Sequence, residues 1–383
     1  MTTATASAPA KQTKGPKRHI EDFEGLKLEY ILKSVSIATL FGLEDMAKDI
    51  PYLNTKIPQR VYLLPGTEEV FKHPLVPNVQ EHKFELSDMI HVLMYVLKKC
   101  GKVPYLFGLH GTGKSSTYEQ IHARLGIPLV RIILGEDSEV IDLGGQMLPN
   151  EQGGMTMHYG LLVTSMRNGW SLQIDEWDLL PIRQQKMLNE VIENARFTVE
   201  ITGEQVTAHP KWRVMVTANT NNTGTGNNNF IQSGGDSSVN DRFNHIEKFY
   251  LTKDDEREIL KRYVKKVVNK HPKIADSMTP AMIETAYDSV IELMLTVAER
   301  VRNAHEESKK SQTSLMTLEC TLSTRSLKGW IDNVVALNEF YLGATGIDHS
   351  TMLRDAFKIA FVNGVSHDEQ EDVLQILSDS SSL

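Results

Sequence analysis

Apolar and polar positions alternate along this chain with two periods, and the switch between them outlines its organisation. Met89, Val92, Leu93, Val96 and Leu97 recur at i, i+3, i+4 spacing and predict a helix over Glu85 to Lys99, ended by Gly101. Short apolar runs then predict strands at Pro104 to Leu109, 128–134, Trp170 to Glu176, Trp212 to Ala218 and His245 to Leu251. Between them fall a helix from Ser116 onward and another over 181–196, with Ile182, Met187, Leu188, Val191 and Ile192 on its apolar side. Phe197 to Val206 reads as a hairpin. Ile141 to Met157, with Gly144-Gly145 and Gly153-Gly154, reads as a hairpin or loop insert.

From Asp254 onward only the helical period remains. A charged helix spans Asp254 to Lys270. Thr279-Pro280, a cap followed by proline at the first helical position, opens a long helix. Its Met282, Ala286, Val290, Leu293, Val297 and Val301 form one stripe that reads as core. Ser323-Thr324-Arg325 starts a helix through Trp330, Val334 and Leu337, and 351–378 supply a final helical pair. Alternating strands and helices followed by helices alone predict an α/β domain with a helical lid. The predicted divisions are a disordered tail at 1–18, a small proline-punctuated region at 19–85, the α/β domain at 86–252 and the lid at 253–383. Within 19–85, Ile31 to Leu43 reads as a short helix, and Ile57, Val61 and Leu63-Leu64 as a strand.

Composition adds limits. The 383 residues are 40% hydrophobic and 23% charged, an ordinary globular balance. A net charge of −8 disfavours a protein that mainly coats nucleic acid. The lysines of Lys261 to Lys273 are diluted by Asp254, Asp255, Glu256 and Glu258 and read as a solvated helix face. Cys100 and Cys320 lack metal-type spacing and read as core thiols of a reducing compartment. No apolar run is long enough to span a membrane, and the first residues lack a secretory pattern, so the expected location is cytoplasmic, in a bacterium or in a phage-infected host. Thr220 to Asn240 is too polar to pack and too long for a turn; only Phe230 and Ile231 there are able to grip a partner.

The chemistry is concentrated where strand turns into helix. Gly108 to Ser115 fits G-x-x-x-x-G-K-[ST] between a predicted strand and a predicted helix. Gly108, Gly111 and Gly113 let the backbone curl so that its N–H groups face phosphate oxygens, and the helix adds its positive end. The expected cradle is Gly108, His110, Gly111, Thr112, Gly113, Lys114, Ser115 and Ser116. Lys114 reaches the β- and γ-phosphates of ATP, and the Ser115 hydroxyl ligates Mg²⁺. About sixty residues on, Trp170 to Glu176 is a strand ending in two carboxylates. Asp175 there suits Mg²⁺, and Glu176 suits polarising the attacking water. Asn219, at the tip of the next apolar strand, either orients that water or senses the γ-phosphate, or else starts a turn.

Together these motifs resemble the ring-forming AAA+ ATPases of the MoxR and metal-chelatase group, specifically the CobS subunit of aerobic cobaltochelatase. The resemblance runs from about residue 34 to the C-terminus. It is carried by Val35 to Leu43, His110 to Ser115 with Glu119-Gln120 and Ala123-Arg124-Leu125, and Ile141-Asp142-Leu143. Asp175-Glu176, His209-Pro210, Thr217-Ala218-Asn219-Thr220, Asp241-Arg242 and Thr324-Arg325 complete it. It implies a parallel five-stranded P-loop domain followed by an all-helical lid. It implies that Asn219 is sensor 1, Arg242 the arginine finger inserted into a neighbour's ATP site, and Arg325 sensor 2. It further implies a homo-hexamer, a CobT-like partner with a von Willebrand A domain, a protein client, and ATP hydrolysis coupled to remodelling, with metal insertion as the narrow version. A MoxR-like chaperone and a nucleic-acid translocase are the alternatives; the translocase ranks last because the polar loop offers few basic or aromatic residues. A scaffold without turnover is disfavoured by the presence of Glu176, Asn219 and Arg242. Two features depart from the pattern: residues 221–239 are richer in Asn and Ser, and Ile133-Leu134 is apolar where a polar residue addressing Glu176 is expected.

Overall fold

Strands buried on both faces read as unbroken apolar runs, and the centre of this molecule is built from such runs. The computed structural model describes residues 16–23, 25–98, 101–135, 139, 143–222, 237–310, 318–342 and 348–381. Cys100, Ile141-Asp142, Phe230 and Ile231, most of the 221–239 loop and most of the tail lie outside the described residues.

A small antiparallel sheet, β1 (His19–Phe23), β2 (Leu26–Ser36) and β3 (Lys56–Leu63), comes first, with α1 (Ile37–Phe41) after β2. Then follow α2 (Leu86–Lys98), β4 (Val103–Phe107), α3 (Lys114–Leu125) and β5 (Leu129–Ile133). A hairpin of β6 (Gly145–Pro149) and β7 (Met155–Tyr159) leads through α4 (Leu161–Asn168) to β8 (Ser171–Asp175). After α5 (Ile182–Met187) and α6 (Asn189–Asn194), a second hairpin, β9 (Arg196–Val199) and β10 (Glu204–Thr207), precedes β11 (Arg213–Ala218). Finally come α7 (Ser237–Asn240), β12 (Phe243–Glu247) and the helices α8 (Lys253–Val268), α9 (Pro272–Ser277), α10 (Pro280–Lys310), α11 (Thr324–Phe340), α12 (His349–Ala360) and α13 (His367–Ser381).

The main sheet has five strands in the order β12-β4-β11-β8-β5, as the parallel α/β expectation requires. β8 pairs in parallel with β11 (Val214 opposite Leu172) and with β5 (Ile132 opposite Ile174). Every residue of β8 and β11 is buried, whereas the edge strand β5 exposes Arg131 and Ile133. The chain divides into two compact units, residues 1–104 with 115–216, and residues 105–114 with 217–383.

In the first unit, Tyr118 of α3 is fully buried and donates its hydroxyl to the carbonyls of Pro104 (2.9 Å) and Val216 (3.0 Å). The small sheet is anchored by Glu21, whose carboxylate accepts from Tyr62 Oη (2.8 Å) and Trp170 Nε1 (2.9 Å). Burial pushes the Glu21 carboxyl up, but His73, 3.4 Å away, and the hydrogen bonds from Tyr62 and Trp170 hold it below its ordinary value. His122, on α3, is also fully buried, and its Nδ1 lies 2.7 Å from the Tyr118 carbonyl. Burial pushes its pKa down from 6.5 to about 4. An unfolded chain therefore takes up this proton first, and stability falls as pH drops from 6.5 towards 4. By that linkage pH 5 costs about 2 kcal/mol relative to pH 7. Urea melts at the two pH values are expected to show a smaller difference for His122→Gln than for the native chain by that amount; equal differences would remove His122 as the source.

In the second unit the six C-terminal helices enclose their own core, where Trp330 packs on Phe357 at 4.3 Å between ring centroids. The lysine-rich face of α8 is paired rather than bare: Lys261 meets Asp288 (2.9 Å) and Lys265 meets Glu284 (3.5 Å). Such exposed pairs add little stability. Cys320 is half-buried, and burial pushes its thiol up to about 12, as expected of an inert core thiol.

Three expectations change. Residues 31–36 continue strand β2, and the short helix expected over 31–43 is confined to α1, beginning where Ser36 Oγ accepts from the Thr39 amide (3.1 Å). The helix predicted over 181–196 is two, because the Leu188 amide turns to the Gln185 carbonyl in an i, i+3 bond that tightens the turn. Of the stripe expected on α10, Val297 and Val301 are buried and Val290 and Leu293 pack against the core, but Met282 is 53% exposed and Ala286 is exposed, and Ile283, Tyr287 and Ile291 are buried in their place. Two rows of apolar residues run along this helix, and packing against α8 and α13 selects the other one over its first turns.

Candidate active site

The loop after β4 is shaped by glycine. Gly108, Gly111 and Gly113 all have positive φ (144°, 77° and 87°). Two of them also leave no room for a side chain. A Cβ on Gly108 would lie 2.2 Å from the Lys248 carbonyl oxygen, and one on Gly111 would lie 2.3 Å from Ser323 Cβ. Within the loop, Thr112 Oγ1 donates to the Leu109 carbonyl (2.8 Å). Lys114 Nζ donates to the carbonyls of Gly108 (2.7 Å) and Leu109 (3.0 Å) and to Asn219 Oδ1 (3.2 Å). Asn219 thus reaches the loop lysine from the end of the neighbouring strand β11. His110 is exposed, and its carbonyl accepts from Tyr250 Oη (2.9 Å).

Ser323 is the N-cap of α11, its Oγ accepting from the Ser326 amide (3.1 Å). The start of that helix is locked from behind. Glu256, 1% exposed, takes two hydrogen bonds from Arg302 (2.8 and 3.0 Å) and one from Thr324 Oγ1 (2.5 Å). Arg302 also donates to the Leu322 carbonyl (2.9 Å) and stacks on the Tyr250 ring at 4.0 Å. A buried bidentate pair of this kind fixes geometry rather than adding much stability. Arg325, one residue into α11 from Thr324, is exposed, and its side chain makes no hydrogen bond or ion pair among the described residues. Arg242 lies between α7 and the edge strand β12 and donates to the Ser238 carbonyl.

In the first unit, Ser115 Oγ lies 3.2 Å from Asp175 Oδ1. Asp175 is 2% exposed; Gln173 Nε2 donates to its Oδ1 (2.8 Å), and Arg131 Nε pairs with its Oδ2. Arg131 also reaches Glu119 of α3 (3.5 Å). Burial, together with the Asp175 charge and against Arg131, leaves the Glu119 carboxyl above its ordinary value. Glu176 is half-buried and left-handed (φ 59°, ψ 38°), a backbone state that costs a non-glycine residue about 1–2 kcal/mol and is concentrated at functional sites. It ends β8 abruptly. Trp177 and Asp178 are buried, in keeping with a structural part. Ser116 lies half-buried in the first turn of α3.

Sheet order accounts for much of this arrangement. The glycine loop follows β4, Asn219 follows β11, and Asp175-Glu176 closes β8, three successive strands of one sheet. The structure adds Arg131, Tyr250, Glu256 and Arg302, which the sequence reading did not include. Arg131 carried a signal, being the one charged residue in the apolar run 128–134. The others sit in a helix or linker where a charge is unremarkable. No cluster of three His, Cys, Asp or Glu side chains able to hold a metal occurs among the described residues.

Residues 105–235 match the family described as AAA domain (dynein-related subfamily). The chain is 30% identical over 221 residues to the aerobic cobaltochelatase subunit CobS of a Sinorhizobium species, covering 52% of this chain and 64% of that protein. It is 29% identical over 147 residues to Midasin of Dictyostelium discoideum, covering 38% of this chain and 2% of Midasin. It therefore spans just under two thirds of the first relative and a small part of the second. Among solved structures, NtrX from Brucella abortus in complex with ADP aligns with a TM-score of 0.47 and 12% identity, over 79% of this chain and 64% of that one. Residues 105–235 are thus similar to AAA domains of the dynein-related subfamily, and parts of the chain are similar to CobS and to Midasin.

Proposed function

We propose that this chain is an ATP-hydrolysing AAA+ motor that resembles the CobS subunit and remodels a partner complex. The observation that carries the reading is the pairing of Ser115 Oγ with Asp175 Oδ1 at 3.2 Å. A hydroxyl and a carboxylate suit Mg²⁺, which takes oxygen ligands and is commonly held by one or two protein groups plus substrate phosphates. Ser115 and Asp175 would hold it, and when bound it neutralises charge on the transferred phosphate.

The remaining roles belong to the chain itself. The loop amides and Lys114 bind and orient the phosphates. Glu176 accepts the proton of the attacking water, which Asn219 helps to orient. Arg325 supplies positive charge from the lid, 253–383, to the domain 86–252. Arg242 supplies it from a neighbouring subunit, which makes the active form a homo-oligomer, on the family pattern a hexamer. A CobT-like partner with a von Willebrand A domain and a protein client complete the assembly, with metal insertion as its narrowest task.

The test is capture with Glu176→Gln protein held in ATP. Co-purification of a von Willebrand A protein supports the motor reading, and a chelatase-like companion narrows it to metal insertion. Recovery of nucleic acid alone, surviving moderate salt, overturns it in favour of a translocase.

A further inference from the structure

A buried carboxylate that holds a metal is oriented by the groups around it, and for Asp175 one of those groups is a cation from another strand. Asp175 closes β8, and Arg131 lies on β5 beside it, where the parallel register sets Arg131 opposite Gln173 and Ile133 opposite Asp175. The two carboxylate oxygens are used differently. Oδ1 faces the Ser115 hydroxyl (3.2 Å) and accepts from Gln173 (2.8 Å), whereas Oδ2 is taken by Arg131 Nε. The second arm of Arg131 reaches back to Glu119 on α3, the helix that begins with the glycine-loop lysine. Arg131 therefore spans from the metal-facing carboxylate to the helix that carries Ser115.

We propose that Arg131 is a positioning residue for the Asp175 carboxylate: by occupying Oδ2 it turns Oδ1 towards Ser115 and sets the Mg²⁺ requirement of nucleotide binding. This rests on the ATP-binding reading of the site given above. Two effects of the guanidinium oppose each other. Its charge repels a dication, and its hydrogen bond fixes the orientation of the ligand. Orientation wins, because Arg131 bonds the oxygen that faces away from Ser115 and shares its charge with Glu119. Removing outer-shell partners of metal ligands commonly costs 10–100-fold in metal affinity. The site also departs from the expected pattern here. The polar residue anticipated at the end of this strand is absent from Ile133-Leu134, and the polar group of the strand lies two residues earlier and addresses Asp175 instead.

The experiment measures binding of a fluorescent ATP analogue to the full chain in EDTA and across a magnesium chloride titration, for native protein, Arg131→Ala and Arg131→Lys. In EDTA the three are expected to agree within about twofold. The Mg²⁺ concentration giving half of the metal-dependent tightening is expected to rise about tenfold in Arg131→Ala. Arg131→Lys, which keeps the charge but not the fork, is expected to fall between. An unchanged or lowered half-point in Arg131→Ala overturns the assignment, a lowered one by showing that repulsion dominates. An equal loss of affinity with and without Mg²⁺ also overturns it, as the mark of a merely structural contact. If the native chain binds no nucleotide under either condition, the reading of the site itself fails, and the assignment with it.

Discussion

Glu176→Gln is expected to bind ATP within about threefold of the native affinity and to hydrolyse it at least about 100-fold more slowly, the range for loss of a general base. The substitution isolates the charge. Glutamine matches glutamate in size, so the half-buried site need not repack. Both residues bear a similar cost of the left-handed backbone, so a change in strain does not enter the comparison. Gln173, Ser115 and Arg131 remain on Asp175, which leaves nucleotide and metal binding in place. Equilibrium binding of a fluorescent ATP analogue and single-turnover phosphate release check the two halves separately. Turnover within a few-fold of native would remove Glu176 from the role of base. Loss of binding along with turnover would make its part structural.

Arg242→Ala is expected to lower kcat about 1,000-fold while leaving nucleotide affinity unchanged, since an arginine finger acts on transition-state charge and is worth at least that factor. Arg242 belongs to one edge of the sheet. It follows a short helix, is tied to the Ser238 carbonyl, and precedes the edge strand of the sheet. An edge position suits delivery to another subunit. Two measurements separate action in trans from action within the chain. Native activity should fall on dilution as the oligomer dissociates. Mixing Arg242→Ala with Glu176→Gln protein should restore part of the lost activity, because some interfaces then combine an intact Glu176 with an intact neighbouring Arg242. Concentration-independent turnover, or no recovery on mixing, would overturn the trans role. Arg242→Lys is expected to recover little, since an ammonium lacks the planar fork.

Elements whose causes are local were legible along the chain. Eight residues from Gly108 to Ser115 contain the glycines their backbone needs, with φ positive at all three. The unbroken apolar runs at Leu172 and Val214 belong to strands buried on both faces, so the centre of the sheet was legible before its order was. Ser323 and the Thr279-Pro280 pair announced two helix starts, because a cap acts on amides within three residues of itself. Tertiary structure decided what depends on residues distant in the chain. The row of α10 that faces inward was open, because Met282 and Ile283 are equally apolar and only the neighbouring helices select between them. The need for glycine at 111 is doubled by Ser323, and no spacing rule connects those positions. Tyr250 finds the His110 carbonyl across 140 residues, and Arg131 finds Asp175 across 44, because strand order brings β5 beside β8. Hydrogen bonds and apolar periodicity within one element are readable along the chain. The partner of a buried charge is chosen by the sheet and helix packing that surrounds it, and that choice is made in three dimensions.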